Sequence, residues 1–153
     1  MARISDPIRL EIIKNAFGSI ADGMALTLVN TSRSSIVRSG FDFSTAVMNP
    51  DGELVGQGTC APIHLGGMGT ALHACLDRYK DRVYPGDIFA SNDPYEGGSH
   101  LPDIFMFKPI YVGDTLAAYA CAMTHHTDIG GRVPGGNACD STEIYQEGLR
   151  IPP

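Results

Sequence analysis

The chain has 153 residues, of which 43% are hydrophobic, so it can bury one ordinary core and does not have the composition of a disordered protein. Its formal net charge is -6, and it has no run of Lys or Arg, which argues against a nucleic-acid-binding surface or an anionic membrane as partner. No apolar stretch approaches the roughly 20 residues that cross a bilayer, so no membrane segment is expected.

The first predicted element is a long amino-terminal helix. Asp6 is a suitable N-cap residue and Pro7 suits the first helical position. Apolar residues then recur at helical spacing over about six turns. They form two rows, Ile8, Ile12, Ala16, Ile20 and Met24 in the first and Ile13, Phe17, Ala21 and Leu28 in the second. Such a wide stripe predicts a helix that packs on a sheet or against another subunit.

A β-hairpin and a second helix follow. Residues 43–48 are β-compatible, and the Pro and Gly of the turn at 49–52 lead into a returning strand at 53–58. Apolar residues at helical spacing then predict a helix over 67–79, which ends before the turn sequence at 84–87.

The rest of the chain predicts three strands and two long loops. The strands are expected at 88–91, at 105–112 and at 116–122, where apolar residues alternate at period two. Loops rich in Gly and Pro follow strand ends at 92–104 and 125–142, and residues from both loops can meet at one edge of the sheet. The predicted fold class is α+β, a mixed sheet with packed helices and long loops at the strand ends.

The cysteines and the amino terminus bear on location. Four widely spaced cysteines with no C-x-x-C pair do not resemble a disulfide scaffold, so we expect reduced and mostly buried thiols. The amino-terminal segment lacks the uninterrupted apolar run of a secretory signal. A cytoplasmic protein is therefore expected.

Two segments carry candidate metal ligands. His100 and Asp103 lie three residues apart in the first, and the second contains His125, His126 and Asp128. Zinc, manganese and iron(II) all accept mixed imidazole and carboxylate ligands. These residue types alone also fit histidines that only make structural hydrogen bonds. The residues therefore indicate a shared metal site but identify neither its occupancy nor its metal.

Several segments together resemble the hydantoinase B/5-oxoprolinase family. In chain order they are Asp6-Pro7, Phe41-Asp42-Phe43-Ser44, Ser91 to Tyr95 with Gly97-Gly98, His100-Leu101-Pro102-Asp103, His125 to Gly131 and Glu147 to Pro153. The similarity spans nearly the whole chain in the right order, which makes it far more specific than any single motif.

The resemblance implies an ATP-dependent enzyme. Members of this family open cyclic amides such as N-methylhydantoin, 5-oxoproline and caprolactam, and related subunits carboxylate acetone or acetophenone. A separate A-type subunit would bind ATP and phosphorylate the small cyclic amide or ketone, while the B-type part would hold a divalent metal, Zn, Mn or Fe. Because family B subunits are several times longer, residues 1–153 are expected to be an incomplete, amino-terminal metal-binding part of a hetero-oligomer.

The same resemblance assigns roles to individual residues. Asp42, His100, Asp103 and His125 would be the metal ligands. His126 and Asp128 would be catalytic groups that handle protons. The leading prediction is part of a cyclic-amide hydrolase, with a ketone carboxylase subunit as its nearest alternative. A non-catalytic assembly domain, whose loops dock a partner and whose histidines only form hydrogen bonds, is the third reading.

Overall fold

The structure is a computed structural model that describes residues 6–80 and 82–153. The described helices are α1 (Pro7–Thr31), α2 (Ser35–Arg38) and α3 (Leu65–Tyr79), with short 3-10 turns at Pro94–Glu96 and Ile144–Gln146. The strands are β1 (Phe43–Met48), β2 (Leu54–Gln57), β3 (Phe89–Ser91), β4 (Asp103–Val112) and β5 (Thr115–His125). The α+β class is confirmed.

The five strands form one sheet in the order β2-β1-β5-β4-β3. Every pairing in it is antiparallel, so the prediction of a mixed sheet was wrong. Short turns join β1 to β2 and β4 to β5, and a short turn can only return the chain in the opposite direction. Helix α3 carries the chain from β2 at one edge to β3 at the other.

The main core lies between α3 and one face of the sheet. Its largest fully buried side chains include Tyr119, Phe105 and Phe107 from the strands and Met68 and Leu72 from the helix. Only one face of the sheet packs on α3. In strand β4 the residues alternate between buried and exposed from Phe105 to Ile110, because successive side chains point to opposite faces of a strand. This packing fixes the start of α3 relative to the sheet.

Helix α1 begins as predicted, with the Asp6 side chain accepting a hydrogen bond from the backbone of Ile8. It packs against β1 and β2 through small residues, of which Ala21 and Ala25 are buried. The first predicted apolar row is not buried in this chain: Ile8, Ile12 and Ile20 are all more than half exposed. Only the face that contains Ala21 meets the sheet.

The same helix is long and apolar enough, by length and composition alone, to cross a membrane. The sequence prediction missed this property because polar residues interrupt the apolar run. From Asn15 to Thr31, however, the only charged residue is Asp22. Core helices of soluble proteins and amino-terminal signal sequences pass the same test. Helix α1 lies near the amino terminus and also contacts the sheet.

The element boundaries differ from prediction where they matter for chemistry. Strand β4 begins at Asp103 and β5 continues to His125, so both residues lie on strand ends rather than in loops. Helix α3 begins two residues earlier than predicted, which makes His64 its N-cap residue.

The described cysteines are all free thiols, as predicted, but only two of the four are buried. Cys75 and Cys121 lie in the core, and Cys139 is exposed. Burial raises the pKa of Cys75 to about 11 and that of Cys121 to about 12. Both thiols are therefore protonated at neutral pH and are poor nucleophiles.

Candidate metal centre

The sheet topology gathers the candidate ligands at one end of its three central strands. Asp42 immediately precedes β1, Asp103 begins β4 and His125 ends β5. Because β5 runs antiparallel to both neighbours, its end lies beside their beginnings. Asp103 and His125 are directly opposite in the register, and the backbone N–H of His125 donates to the carbonyl of Asp42 at 3.2 Å.

The side chains of four predicted ligands converge at this end. His125 Nδ1 lies 2.9 Å from Asp103 Oδ1 and 3.9 Å from Asp42 Oδ2. His100 Nε2 lies 3.2 Å from both Asp103 Oδ1 and His125 Nδ1. The atoms that His100, Asp103 and His125 offer all lie within 4.8 Å of one another, as a shared ion requires. Asp42 completes the set from the more exposed side.

Asp103 is the best-enclosed carboxylate of the group, with 4% of its side chain exposed. Burial acts to raise the pKa of Asp103, but hydrogen bonds from His100, Ser99 and His125 outweigh it and hold the pKa at about 2. The hydrogen bond with Asp103 in turn raises the pKa of His100. Asp103 is therefore ionised at neutral pH, as a metal ligand must be.

A fifth residue, His64, lies in the same cluster and was missed by the sequence analysis. Its side chain is 5% exposed, and its Nε2 lies 3.5 Å from Asp103 Oδ2 and 3.7 Å from Asp42 Oδ1. Burial lowers the pKa of His64, against the opposing effect of Asp103 and Asp42. The sequence signal was weak, because His64 stands alone between the hairpin and α3, with no second ligand type beside it.

The two residues predicted to handle protons lie just beyond β5. His126 is an exposed residue, and its Nε2 lies 3.3 Å from Thr124 Oγ1. Neighbouring protein still desolvates part of the ring, which lowers the pKa of His126. Asp128 is exposed and accepts a hydrogen bond from the backbone N–H of Gly130 at 2.8 Å. Asp128 thus makes a turn contact, and the structure does not bring it into the cluster of ligands.

The carboxyl-terminal segment supports the loop that carries His100. Asn92, which is fully buried, donates from Nδ2 to the carbonyls of Leu101 and Leu149 at 2.7 and 2.8 Å. Glu147 accepts a hydrogen bond from the backbone N–H of Leu101 at 3.1 Å. The backbone of Leu101, next to His100, is therefore held by Asn92 at its carbonyl and by Glu147 at its N–H.

The backbone before the first ligand is strained. Phe41 has a φ of 54°, in the left-handed region that a bulky side chain rarely adopts. Its carbonyl accepts a hydrogen bond from the N–H of Phe43, which closes a tight turn around Asp42. Strain of this kind clusters at functional sites, where surrounding contacts hold it.

The donor set fits a divalent transition metal. Two imidazole nitrogens and two carboxylate oxygens form a mixed nitrogen and oxygen environment, which zinc, manganese and iron(II) accept. His125 presents Nδ1 and His100 presents Nε2 to the cluster, so these are the nitrogen atoms that would bind the ion.

A pocket of about 240 Å³ opens beside these ligands. His125 and His126 line it on one side, and the end of α1 and the following turn line it on the other. Its wall mixes apolar side chains, such as Leu28 and Val37, with the hydroxyls of Ser and Thr residues. Of the four predicted ligands, His125 is the one that lines this pocket.

Comparison with known proteins decides the family. A sequence profile described as hydantoinase B/oxoprolinase matches residues 6–153. This chain belongs to that family. The predicted family is therefore confirmed, and the segments from which it was inferred lie within the match.

Named relatives of the family include cyclic-amide hydrolases. The chain is 40% identical to the caprolactamase subunit beta of Pseudomonas jessenii over 148 residues, which are 97% of this chain and 26% of that protein. It is 39% identical to the 5-oxoprolinase of Saccharomyces cerevisiae over 147 residues, 95% of this chain and 11% of that protein. The chain thus spans about a quarter or less of these relatives.

Solved structures confirm the fold. The crystal structure of the ATP-dependent caprolactamase from Pseudomonas jessenii matches with a TM-score of 0.86 and 39% identity, over 99% of this chain and 26% of that one. A nucleotide-free acetone carboxylase structure matches with a TM-score of 0.88 at 24% identity, over 97% of this chain and 20% of that one. The second likeness concerns the fold alone.

Proposed function

We propose that this chain is the metal-binding part of an ATP-dependent cyclic-amide hydrolase that works with an A-type ATP-binding subunit in a hetero-oligomer. The observation that carries the proposal is the convergence of Asp42, His100, Asp103 and His125 at one end of the sheet. The identity of 35 to 40% with 5-oxoprolinases and a caprolactamase subunit supports a cyclic amide as substrate.

Each ligand has a defined part in this proposal. Asp103 and His125, which are both buried, would fix the ion against the sheet, and His100 would close one side from its loop. Asp42, whose side chain is 40% exposed, would leave the ion open toward solvent and substrate. When bound, the ion would polarise a substrate oxygen and lower the pKa of water toward ~7.

The pocket beside His125 and His126 is the proposed substrate site. Its volume of about 240 Å³ is below the ~300–1,000 Å³ of pockets for drug-sized ligands, so it suits a small ring. The partner subunit would phosphorylate the amide oxygen and so create a leaving group. His126, on the pocket wall, would move a proton in this proposal, and Asp128 would act at most by fixing the turn that follows.

Reconstitution tests this function. The purified protein is combined with an A-type subunit, ATP and 5-oxoproline or caprolactam, and ring opening is measured by mass spectrometry. Wild type should open one of the rings, and Asp42→Asn and His125→Ala should lower the rate at least 100-fold, because each removes a ligand. His73→Ala, which changes an exposed histidine on α3, is the matched control and should retain wild-type activity.

A parallel assay with acetone and bicarbonate in place of the cyclic amide tests the first alternative. Consumption of the ketone and bicarbonate there, without ring opening in the first assay, would favour a carboxylase subunit, for which the acetone carboxylase likeness gives the fold only. Full activity of both ligand variants would contradict a metal role and favour an assembly domain. A cytoplasmic location remains part of the proposal and is tested by fractionation of cells.

A further inference from the structure

The pocket beside His125 has a wall without Lys or Arg among the described residues. That wall consists of two aliphatic side chains, Leu28 and Val37, five residues with hydroxyl groups, and the histidines at 125 and 126. The nearest cations along the chain, Arg33 and Arg38, are exposed residues that do not line the pocket. The pocket therefore offers no fixed positive charge to a bound molecule.

The fixed charges beside this wall are negative. His125 Nδ1 lies 2.9 Å from Asp103 Oδ1 and 3.9 Å from Asp42 Oδ2, so both carboxylates lie next to a residue of the pocket wall. A divalent ion bound there would carry two positive charges, which these two carboxylates would balance. The proposed metal centre would thus add no net positive charge to the pocket.

The hydroxyl groups of the wall suit a neutral polar molecule instead. Ser32 Oγ accepts a hydrogen bond from the backbone N–H of Ser34 at 3.1 Å, which leaves its own hydrogen free to be donated. Thr31 Oγ1 donates to the carbonyl of Thr27 at 2.7 Å and keeps its lone pairs as acceptors. The buried Oγ of Ser34 has no hydrogen-bond partner among the described residues. This wall can therefore meet both the N–H and the carbonyl of an amide.

The two rings named for the reconstitution differ in charge, because 5-oxoproline carries a carboxylate and caprolactam does not. We propose that this pocket selects neutral cyclic amides of the caprolactam kind over rings that carry a carboxylate. A carboxylate would enter without a cationic partner and beside two like charges, and an unpaired charge is costly to remove from water. This inference rests on the proposed function, since it names the substrate class of the same pocket.

The test compares 5-oxoproline with 5-oxoprolinamide, which has the same ring and a neutral carboxamide in place of the carboxylate. Both are offered to the complex with the A-type subunit at pH 8, where histidine rings of ordinary pKa are neutral. Binding is measured without ATP by saturation-transfer difference NMR, and kcat/KM for ring opening is measured with ATP. We expect the neutral ring to bind more tightly and to be opened with a kcat/KM at least ~10-fold higher.

A cation added to the pocket should reduce this preference. Thr31→Lys places an ammonium group at the end of α1, where the last turn has no basic residue and a cation suits the helix dipole. The ratio of the two kcat/KM values should shift toward 5-oxoproline by about fivefold, because the carboxylate gains a partner. Ser19→Lys makes the same charge change at an exposed position of α1, ~18 Å along the helix, and should leave the ratio unchanged.

Equal or better binding and opening of 5-oxoproline by wild type would overturn the inference and leave the proposed hydrolase function intact. A neutral preference that Thr31→Lys does not reduce, or that Ser19→Lys reduces equally, would also overturn it, because the selection would then lie outside this pocket. If wild type opened neither ring and did not open caprolactam, the proposed function itself would be contradicted.

Discussion

Asp103 combines two properties that oppose each other in most proteins, since it is buried and ionised. The cost of removing its charge from water is offset by hydrogen bonds from His100, Ser99 and His125, all of which approach its two oxygens. Before any ion binds, the same oxygens are therefore already oriented by the residues that would share the ion. The carboxylate holds the site together in the metal-free protein.

This arrangement predicts how the metal-free protein responds to acid. The folded-state pKa of Asp103, about 2, lies below its ordinary value of 3.8, so the carboxylate stabilises the fold above pH ~4 and loses that effect as the pH falls toward 2. The shift corresponds to roughly 2 kcal/mol in the free energy of unfolding. Asp103→Asn should be less stable than wild type by about this amount at pH 6, and the difference should shrink at pH 2 to 3.

Urea denaturation at a series of pH values measures this difference. Asp77→Asn, which changes an exposed carboxylate on α3, serves as the control and should follow wild type throughout. A stability difference for Asp103→Asn that stays constant from pH 6 to pH 2 would show that the carboxylate charge does not contribute as described.

The elements of this fold were predictable where local sequence patterns determine them. The N-cap at Asp6, the hairpin between β1 and β2 and the helical spacing of α3 are all local signals, and each predicted an element that exists. The direction of strand pairing was not predictable in this way, because it depends on which strands become neighbours over long range. The sequence also gave no indication that α3 begins early enough to bring His64 to the ligands.

The residues of the site were predictable for a related reason. His100 with Asp103, and His125 with His126, are short clusters of ligand types that are visible in the sequence, and the family resemblance added Asp42. His64 joins them only through the packing of α3 on the sheet, which no local pattern reports.

The contact between α1 and the hairpin makes a prediction about packing. A Cβ atom on Gly58 would lie 2.3 Å from Thr45 Oγ1 and 2.8 Å from the carbonyl of Ala21, and Thr45 Oγ1 itself donates to that carbonyl at 2.9 Å. Gly58→Ala must therefore push the helix away from β1 or break this hydrogen bond. We expect a loss of about 1–3 kcal/mol in the free energy of unfolding.

Gly18→Ala is the matched control, because nothing lies within 4 Å of its added Cβ. In a helix interior this change should stabilise the protein by about 0.5–1 kcal/mol. Both values are obtained from chemical denaturation of the two variants beside wild type. Equal effects in the two variants would contradict the close approach of α1 to the hairpin.

The exposed apolar row of α1 raises the question of what covers it. Ile8, Ile12 and Ile20 remain more than half exposed, although apolar spacing on a helix normally marks a buried face. The chain corresponds to 26% of the caprolactamase subunit beta and to smaller shares of the 5-oxoprolinases. We expect this face of α1 to pack against another protein surface.

The ligand cluster, in contrast, is assembled from within the chain. Its described members come from the turn before β1, from the start of α3 and from the central strands β4 and β5 with their loops. The proposed metal centre therefore draws its four predicted ligands from this chain, whereas the proposed catalysis would also need an ATP-binding partner.

The most direct test of this account is the metal content of the purified protein, measured by inductively coupled plasma mass spectrometry without prior exposure to chelators. We predict close to one zinc, manganese or iron ion per chain in wild type and in the surface variant His73→Ala, and loss of that ion in His100→Ala. A wild-type protein that carries no metal even after incubation with all three ions, or an undiminished metal content in His100→Ala, would contradict the central claim.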